Sequence, residues 1–437
     1  MILSYKNGTK IYNFYKPKKN SDQNTYTVIV GKNGSGKSRL LNNIIEFFTT
    51  ERNLFNANDL KFTTTPQKII AVSTSPYDKF PIINELRKGD FIYDYYSYLG
   101  IRDVRASNFS LGFMSKIINQ LLIIRNNDFN QFEKIIQVLN YLDYSGDIHL
   151  TFEIRLLNNQ IKKLFNASSI EEEFMEILSI SGYNKPNFSF FKDAESDELN
   201  KARIDNLVLI LKSYHFSGRR KIYETIINSS SVDSEINLDD LIFLMDAGLA
   251  KLRDVRLKKI QSSKVHQISD ASSGEQCIFT TLVGIACNIK DNCLILIDEP
   301  EISLHPEWQE KYITLLIETF QNYKNCHFII ATHSPQLISK LSVENCYILQ
   351  MDNRELKNAK DYANNSIDFQ LANIFNSPGF KNEYLSRISF SIISKVGKTK
   401  RFDDEDIKNY YILKSQIKFL QDNDPVIGLY NIIEKLK

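Results

Sequence analysis

The sequence predicts an α/β protein whose sheet-bearing part is interrupted by a long helical segment and followed by a helical tail. Three observations carry this. A β-branched, apolar stretch from Tyr26 to Val30 runs into a glycine-rich turn and then an amphipathic helix pattern. A continuous apolar run from Cys293 to Ile297 ends in Asp298-Glu299, as a strand buried on both faces of a parallel sheet would. A second such run, from Cys326, leaves into Thr332-His333-Ser334 at the carboxyl edge, where α/β sheets place ligands.

The turn Gly31-Lys32-Asn33-Gly34-Ser35-Gly36-Lys37-Ser38 is a full GxxxxGK[ST] match, with a strand before it and a helix after it. Glycines allow positive φ and bring successive N–H groups around a phosphate. The helix that follows aims its free N–H groups at the same anion. Lys37 offers a point charge to the β and γ phosphates, and Ser38 a hydroxyl ligand for Mg²⁺. These residues predict a nucleoside triphosphate site. Asp298, at a strand's carboxyl end, is expected to hold Mg²⁺ directly or through water. Glu299 points the other way and is expected to polarise the attacking water. His333 is expected to hydrogen-bond the transferred γ-phosphoryl group.

With these pieces in order, the chain resembles the ABC-type ATPase superfamily, most of all its SMC, RecF and overcoming-lysogenization-defect (OLD) branch. The matching stretches are Gly31–Ser38 (Walker A), Ser272-Ser273-Gly274-Glu275-Gln276 (signature), Ile295–Glu299 (Walker B), "PEISLHP" after it (D-loop) and Thr332-His333-Ser334 (switch histidine). "DEPEISLHP" followed by "ATHSPQLI" is typical of small prokaryotic ATPases, many in anti-phage systems of retron, Septu or PARIS type. The resemblance implies an ABC-type P-loop head with a mixed sheet, ATP and Mg²⁺ as ligands, and a nucleotide-sandwiched homodimer. One subunit's signature would then cap the ATP on the other subunit's Walker A. Ser272 or Ser273 would reach the γ-phosphate, and Gly274 would permit close approach. The helix from Glu275 would point its N-terminus at the anion. The same letters, Ser-Ser-Gly-Glu, also spell a helix N-cap.

The chain departs from the family in places. Ala271 stands where leucine is usual. No glutamine follows the strand Lys68 to Thr74; Ser73, Ser75 and Asp78 are the candidates for that contact. Tyr12, Phe14 and Tyr15 lie where an adenine-stacking aromatic could come from.

The rest of the chain sets bounds. With 54 basic and 52 acidic residues in 437, a net charge of +2 gives no global electrostatic case for nucleic acid. The densest basic runs are Arg253 to Lys264 and Lys395 to Arg401. Cys277, Cys287, Cys293, Cys326 and Cys346 show no CxxC pairing and read as reduced thiols of a cytoplasmic protein. No apolar run is long enough for a transmembrane helix, so no membrane partner is expected. The expected organisation is an ATPase half over 1–106, a mostly helical insert over 107–264, a second ATPase half over 265–350 and a helical tail over 351–437. Within the insert, Phe113 to Leu142, Glu171–Ile180, Ser196–Tyr214 and Asn237 to Leu249 read as helical. Asp147 to Leu156 reads as a strand, and Lys251 to Ile260 as the strand returning to the sheet. Phe402 to Asp406, "FDDED", reads as a solvated helix start, so no second catalytic centre is expected. Two roles fit: a nucleotide-gated switch controlling a separate effector, a nuclease or toxin, in anti-phage defence; or a RecF-like repair ATPase that binds DNA.

Overall fold

The computed structural model describes residues 1–17, 22–50, 59–82, 94–100, 102, 109–154, 163–167, 170–179, 187–193, 198–214, 222–261, 264–341 and 344–437. The chain divides into two units. Unit 1 is Met1–Arg102 with Ile289–Lys437, and unit 2 is Asp103–Asn288.

Unit 1 opens with a hairpin, β1 (Ile2–Asn7) and β2 (Lys10–Asn13). β3 (Thr25–Val30) is buried at every residue, as its apolar run requires. It feeds the helix Lys37–Thr49, which buries Leu40, Leu41, Ile44 and Ile45 at helical spacing. β4 (Leu60–Phe62) completes a three-stranded antiparallel sheet, β2-β1-β4. β5 (Lys68–Ser73) and β6 (Tyr96–Gly100) are central-sheet strands.

Unit 2 carries the expected helices together with a sheet larger than the two strands read from the sequence. The Phe113 to Leu142 pattern is two of them, Phe109–Asn127 and Phe129–Tyr141, parted at Asp128, whose carboxylate caps the second. Ile170–Ser179, Lys201–Ser213 and Leu238–Asp246 follow near the expected places. They accompany a five-stranded antiparallel sheet: β7 (Tyr144–Ile154), β8 (Ile222–Ile227), β9 (Val232–Ser234), β10 (Ala250–Lys259) and β11 (Val265–Gln267) in the order β11-β10-β7-β8-β9. Lys251 to Ile260 therefore returns to this sheet, pairing with β7, and not to the nucleotide-bearing one. A register shift between Leu252 and Asp254 lets Ala250, Leu252, Val255 and Leu257 share the buried side. The unit also keeps the helix Ser273–Asn288, so it extends past the expected boundary at 264; the expected boundary at 106 lies outside the described residues.

Unit 1 resumes with β12 (Cys293–Asp298), β13 (His327–Thr332), β14 (Cys346–Gln350) and β15 (Glu355–Asn358). The mixed sheet runs β15-β14-β3-β13-β12-β5-β6, parallel except for the edge strand β15. The tail is thus not wholly helical, because its first element joins the sheet. Its helices Glu383–Thr399, Asp404–Gln416 and Pro425–Leu436 share a core that includes Leu385, Ile392, Leu413, Val426 and Ile433. "FDDED" does start a helix, but through a capping box of Asp403 with Asp406, and Asp406 is buried.

At the start of β13, His327 is buried. Its Nδ1 accepts the Ile2 N–H at 3.1 Å. Thr27 Oγ1 lies 3.0 Å from Nε2 and donates its own proton to the Phe14 carbonyl, 2.7 Å away, so Nε2 carries the ring proton. Burial holds this imidazole well below its ordinary range, with the Met1 amine adding to the effect.

Candidate active site

The parallel arrangement of β3, β13 and β12 brings three separate motifs to one sheet edge. Between β3 and the helix Lys37–Thr49, Gly34 (φ 76°) and Gly36 (φ 94°) take the left-handed conformation that only glycine adopts cheaply. A Cβ on Gly31 would stand 2.8 Å from Ser35 Oγ and 2.9 Å from Met351 Cβ, so the turn closes tightly there. Ser35 Oγ is itself buried and unpaired, a polar atom waiting for a partner inside the loop. Lys32, Asn33 and Gly34 are exposed on the loop's outer side.

Lys37 Nζ turns back into the cradle. It donates to the Gly31 carbonyl at 3.0 Å and lies 2.6 Å from His333 Nε2. Burial pulls its pKa down, against the opposing pull of Glu299 and Asp298. Ser38 Oγ donates to Asp298 Oδ1 at 3.1 Å, joining the Walker A serine to the end of β12. The Asp298 carboxyl is pushed up to about 7 by burial, with Glu299 and Asp78 adding repulsion. Glu299 adopts φ 50°, a positive value rare outside glycine. Its Oε1 lies 3.3 Å from His333 Nε2. His333, half-buried, is held below its ordinary range by burial and by the Lys37 ammonium. Thus Lys37, Ser38, Asp298, Glu299 and His333 come together at one edge of the sheet.

The signature stretch lies in unit 2. The cap reading holds there: Ser272 and Glu275 form a reciprocal box, with Glu275 N–H donating to Ser272 Oγ at 3.3 Å and Ser272 N–H to Glu275 Oε2 at 3.0 Å. Burial alone would raise the Glu275 carboxyl, but these bonds and Lys259 hold it below its usual range. Gln276 donates to the Ala271 and Ser269 carbonyls. Gly274 is buried. Ser273 is exposed and has no side-chain hydrogen bond among the described residues, whereas the Ser272 hydroxyl donates to Glu275.

Other expectations change. Tyr12 and Phe14 are core residues and cannot stack on a base; Tyr15 packs edge-on against His327, at the opposite end of β13 from His333. Ser73 Oγ accepts from the Ser75 N–H, Ser75 Oγ from the Tyr77 N–H, and Asp78 from the Phe80 N–H and the Tyr98 hydroxyl. All three candidates therefore shape the turn after β5. Ser73 alone stands opposite Asp298 in register. In the basic runs, Arg253 pairs with Glu153, Arg256 with Glu224, and Lys395 with Asp403, which spends charge a DNA backbone would need. Sequence reasoning gave no individual role to Glu301, whose carboxylate accepts the His333 N–H at 2.5 Å, or to Gln309. Both act through contacts between chain segments that no local pattern records.

Fold and site together resemble the nucleotide-binding head of an ABC-type P-loop ATPase. Residues 171–339, which hold the signature, Walker B and His333, match the family described as "AAA domain, putative AbiEii toxin, Type IV TA system". The chain is 21% identical to "Endonuclease GajA" of Bacillus cereus (strain HuB5-5), over 94% of this chain and 63% of that protein. It is 22% identical to "Retron Vc95 probable ATPase" of Vibrio cholerae serotype O1 biovar El Tor, over 77% of this chain and 71% of the relative. A shorter match, 42% identical over 13% of this chain and 10% of the relative, is to "Retron Ec83 probable ATPase" of Escherichia coli. The chain thus spans less than two thirds of the length of the endonuclease. No described helix is long and apolar enough to cross a membrane.

Proposed function

We propose that this chain hydrolyses ATP as one half of a nucleotide-bridged homodimer, in the cytoplasm, and gates a separate effector protein, a nuclease or toxin, in anti-phage defence. The observation that carries the catalytic part is the convergence of Lys37, Asp298, Glu299 and His333 at one sheet edge. Lys37 would leave His333 for the β and γ phosphates. A buried carboxyl pushed up to about 7, with a serine hydroxyl donated to it, is a site that a hard divalent cation would relieve. Asp298 and Ser38 would hold Mg²⁺, which supplies charge neutralisation along the phosphates. Glu299 would polarise the attacking water, and His333 would hydrogen-bond the transferred group. Ser273, exposed and unpaired at a helix N-terminus, would complete the site on a second copy. ATP would favour the closed dimer and hydrolysis would release it, so the nucleotide biases a two-state assembly. The resemblance and the retron ATPase relatives support the defence setting.

The test is Glu299→Gln with ATP and Mg²⁺, followed by phosphate release and solution mass. Turnover should fall roughly 100-fold or more while nucleotide binding is kept, and a dimer should accumulate. Ser273→Arg should bind ATP yet neither dimerise nor turn over. Normal hydrolysis by Glu299→Gln would overturn the water-activating role, and an active Ser273→Arg the shared site.

A further inference from the structure

Beyond the residues that face the phosphates, we infer that Glu301, supported by Gln309, is a positioning residue. It holds His333 in place by bracing the loop after β12 against the loop after β13. The inference rests on the ATP reading above.

β13 ends its ladder at Thr332, paired with Val30. The next two residues, His333 and Ser334, have left the sheet and need other partners. The Ser334 N–H turns to Thr332 Oγ1 at 2.9 Å and its hydroxyl also lies 3.0 Å from Gln336 Oε1, while two further partners come from the chain that follows Walker B. Glu301, in the short turn Pro300–Ser303, accepts the His333 N–H on Oε1 at 2.5 Å. Gln309, on the helix Pro306–Phe320, accepts the Ser334 hydroxyl on Oε1 at 2.6 Å. The same Gln309 donates through Nε2 to the Leu304 carbonyl at 2.9 Å and to the Glu301 carbonyl at 3.5 Å. Two side chains therefore pin two consecutive residues of one loop to the backbone of the other.

The choice of a carboxylate is costly. Glu301 Oε2 is buried without a hydrogen-bond partner, and burial raises this carboxyl. A purely structural brace needs only one acceptor oxygen, so a buried acid here departs from what stability favours, as functional sites do. Its gain is a fixed imidazole. His333 stands 2.6 Å from Lys37 Nζ and 3.3 Å from Glu299 Oε1, and a 1 Å misplacement of such a group can cost about 100-fold in rate. Glu301 itself is engaged behind the His333 backbone, so the water-activating role stays with Glu299.

The experiment compares Glu301→Ala, Glu301→Gln and Gln309→Ala by equilibrium binding of ATP and ADP, by steady-state kinetics and by thermal melting. Glu301→Ala should lower kcat about 10- to 100-fold with little change in KM. It should also shrink the preference for ATP over ADP about tenfold by weakening the γ-phosphate contact alone. Glu301→Gln, which keeps the acceptor oxygen, should recover most of both. Gln309→Ala should move both readouts the same way by less. Glu301→Ala combined with His333→Ala should lose no more than His333→Ala alone. The inference is overturned if Glu301→Ala and Gln309→Ala keep the wild-type ATP preference. It is also overturned if the double variant adds the two losses, or if melting falls while kcat per folded molecule holds. A chain that prefers ATP over ADP but does not hydrolyse it sinks the hydrolysis reading and leaves the binding ratio to judge Glu301. A chain that binds neither nucleotide sinks both.

Discussion

β13 begins at His327 and delivers His333 just past its other end. The first imidazole is enclosed, satisfied on both nitrogens by Ile2 and Thr27, and neutral. The second is half-buried between a lysine ammonium and a glutamate. Burial lowers the pKa of both. The difference lies in what surrounds each ring. At the amino edge of the sheet, neighbouring strands and the N-terminal hairpin supply fixed partners that need nothing more. At the carboxyl edge, the strands end and loops gather charged groups whose natural partner is a ligand.

Exchanging each histidine should separate the two roles. His333→Ala should lower kcat about 100-fold and leave the melting temperature nearly unchanged, because it removes a transition-state hydrogen bond and no core packing. His327→Ala should do the reverse. It leaves a cavity and two unpaired polar groups and costs about 3 kcal/mol by chemical denaturation, with kcat per folded molecule unaffected. A His327 variant that folds normally but does not turn over would erase the contrast.

Acid should sharpen it. Unfolded, His327 takes up a proton near pH 6.5; folded, it does so only well below that. The unfolded state therefore binds more protons in that window, so stability is lost as pH falls below about 6.5, with a limiting slope of about 1.4 kcal/mol per pH unit. Denaturation curves at pH 7 and pH 5 should show this loss in the wild type and less of it in His327→Gln.

The smallest effect concerns the paired serines of unit 2. Ser272→Ala should cost about 1 kcal/mol through loss of the cap. Ser273→Ala should cost no measurable stability but reduce ATP turnover. Equal behaviour of the two in melting and phosphate-release assays would break the division of labour between them.

Much of the site was legible because its motifs are local. A glycine turn between strand and helix, an acidic pair after an apolar run and a histidine after the next one each announce themselves within a dozen residues. The parallel β3-β13-β12 arrangement then follows from strands buried on both faces. The five-stranded sheet of the insert was not legible, for the opposite reason. Two strands of unit 2 read as strands, but β10 carries a bulge that breaks strict alternation and their partners lie far along the chain, so the pairing shows only when distant segments meet. The same holds for the turn after β5. Ser73, Ser75 and Asp78 looked equivalent as ligands, and their hydrogen bonds to nearby backbone and to Tyr98 show that each also shapes its own turn.

What the sequence determined by itself is the inventory: a glycine-rich P-loop motif, an aspartate-glutamate pair, a histidine and a serine-rich signature stretch, most of them beside strands of recognisable hydrophobicity. Tertiary structure decided which of these groups are free to act. Ser272 is a cap and Ser273 is not; Tyr12 and Phe14 are core; the His333 N–H is met by Glu301, far from it along the chain and in hydrogen-bond contact in the fold. A pattern of residues fixes which groups exist and which faces they share, because helix and strand periods are local. Their burial and partners arise from contacts between remote segments, which no local period encodes.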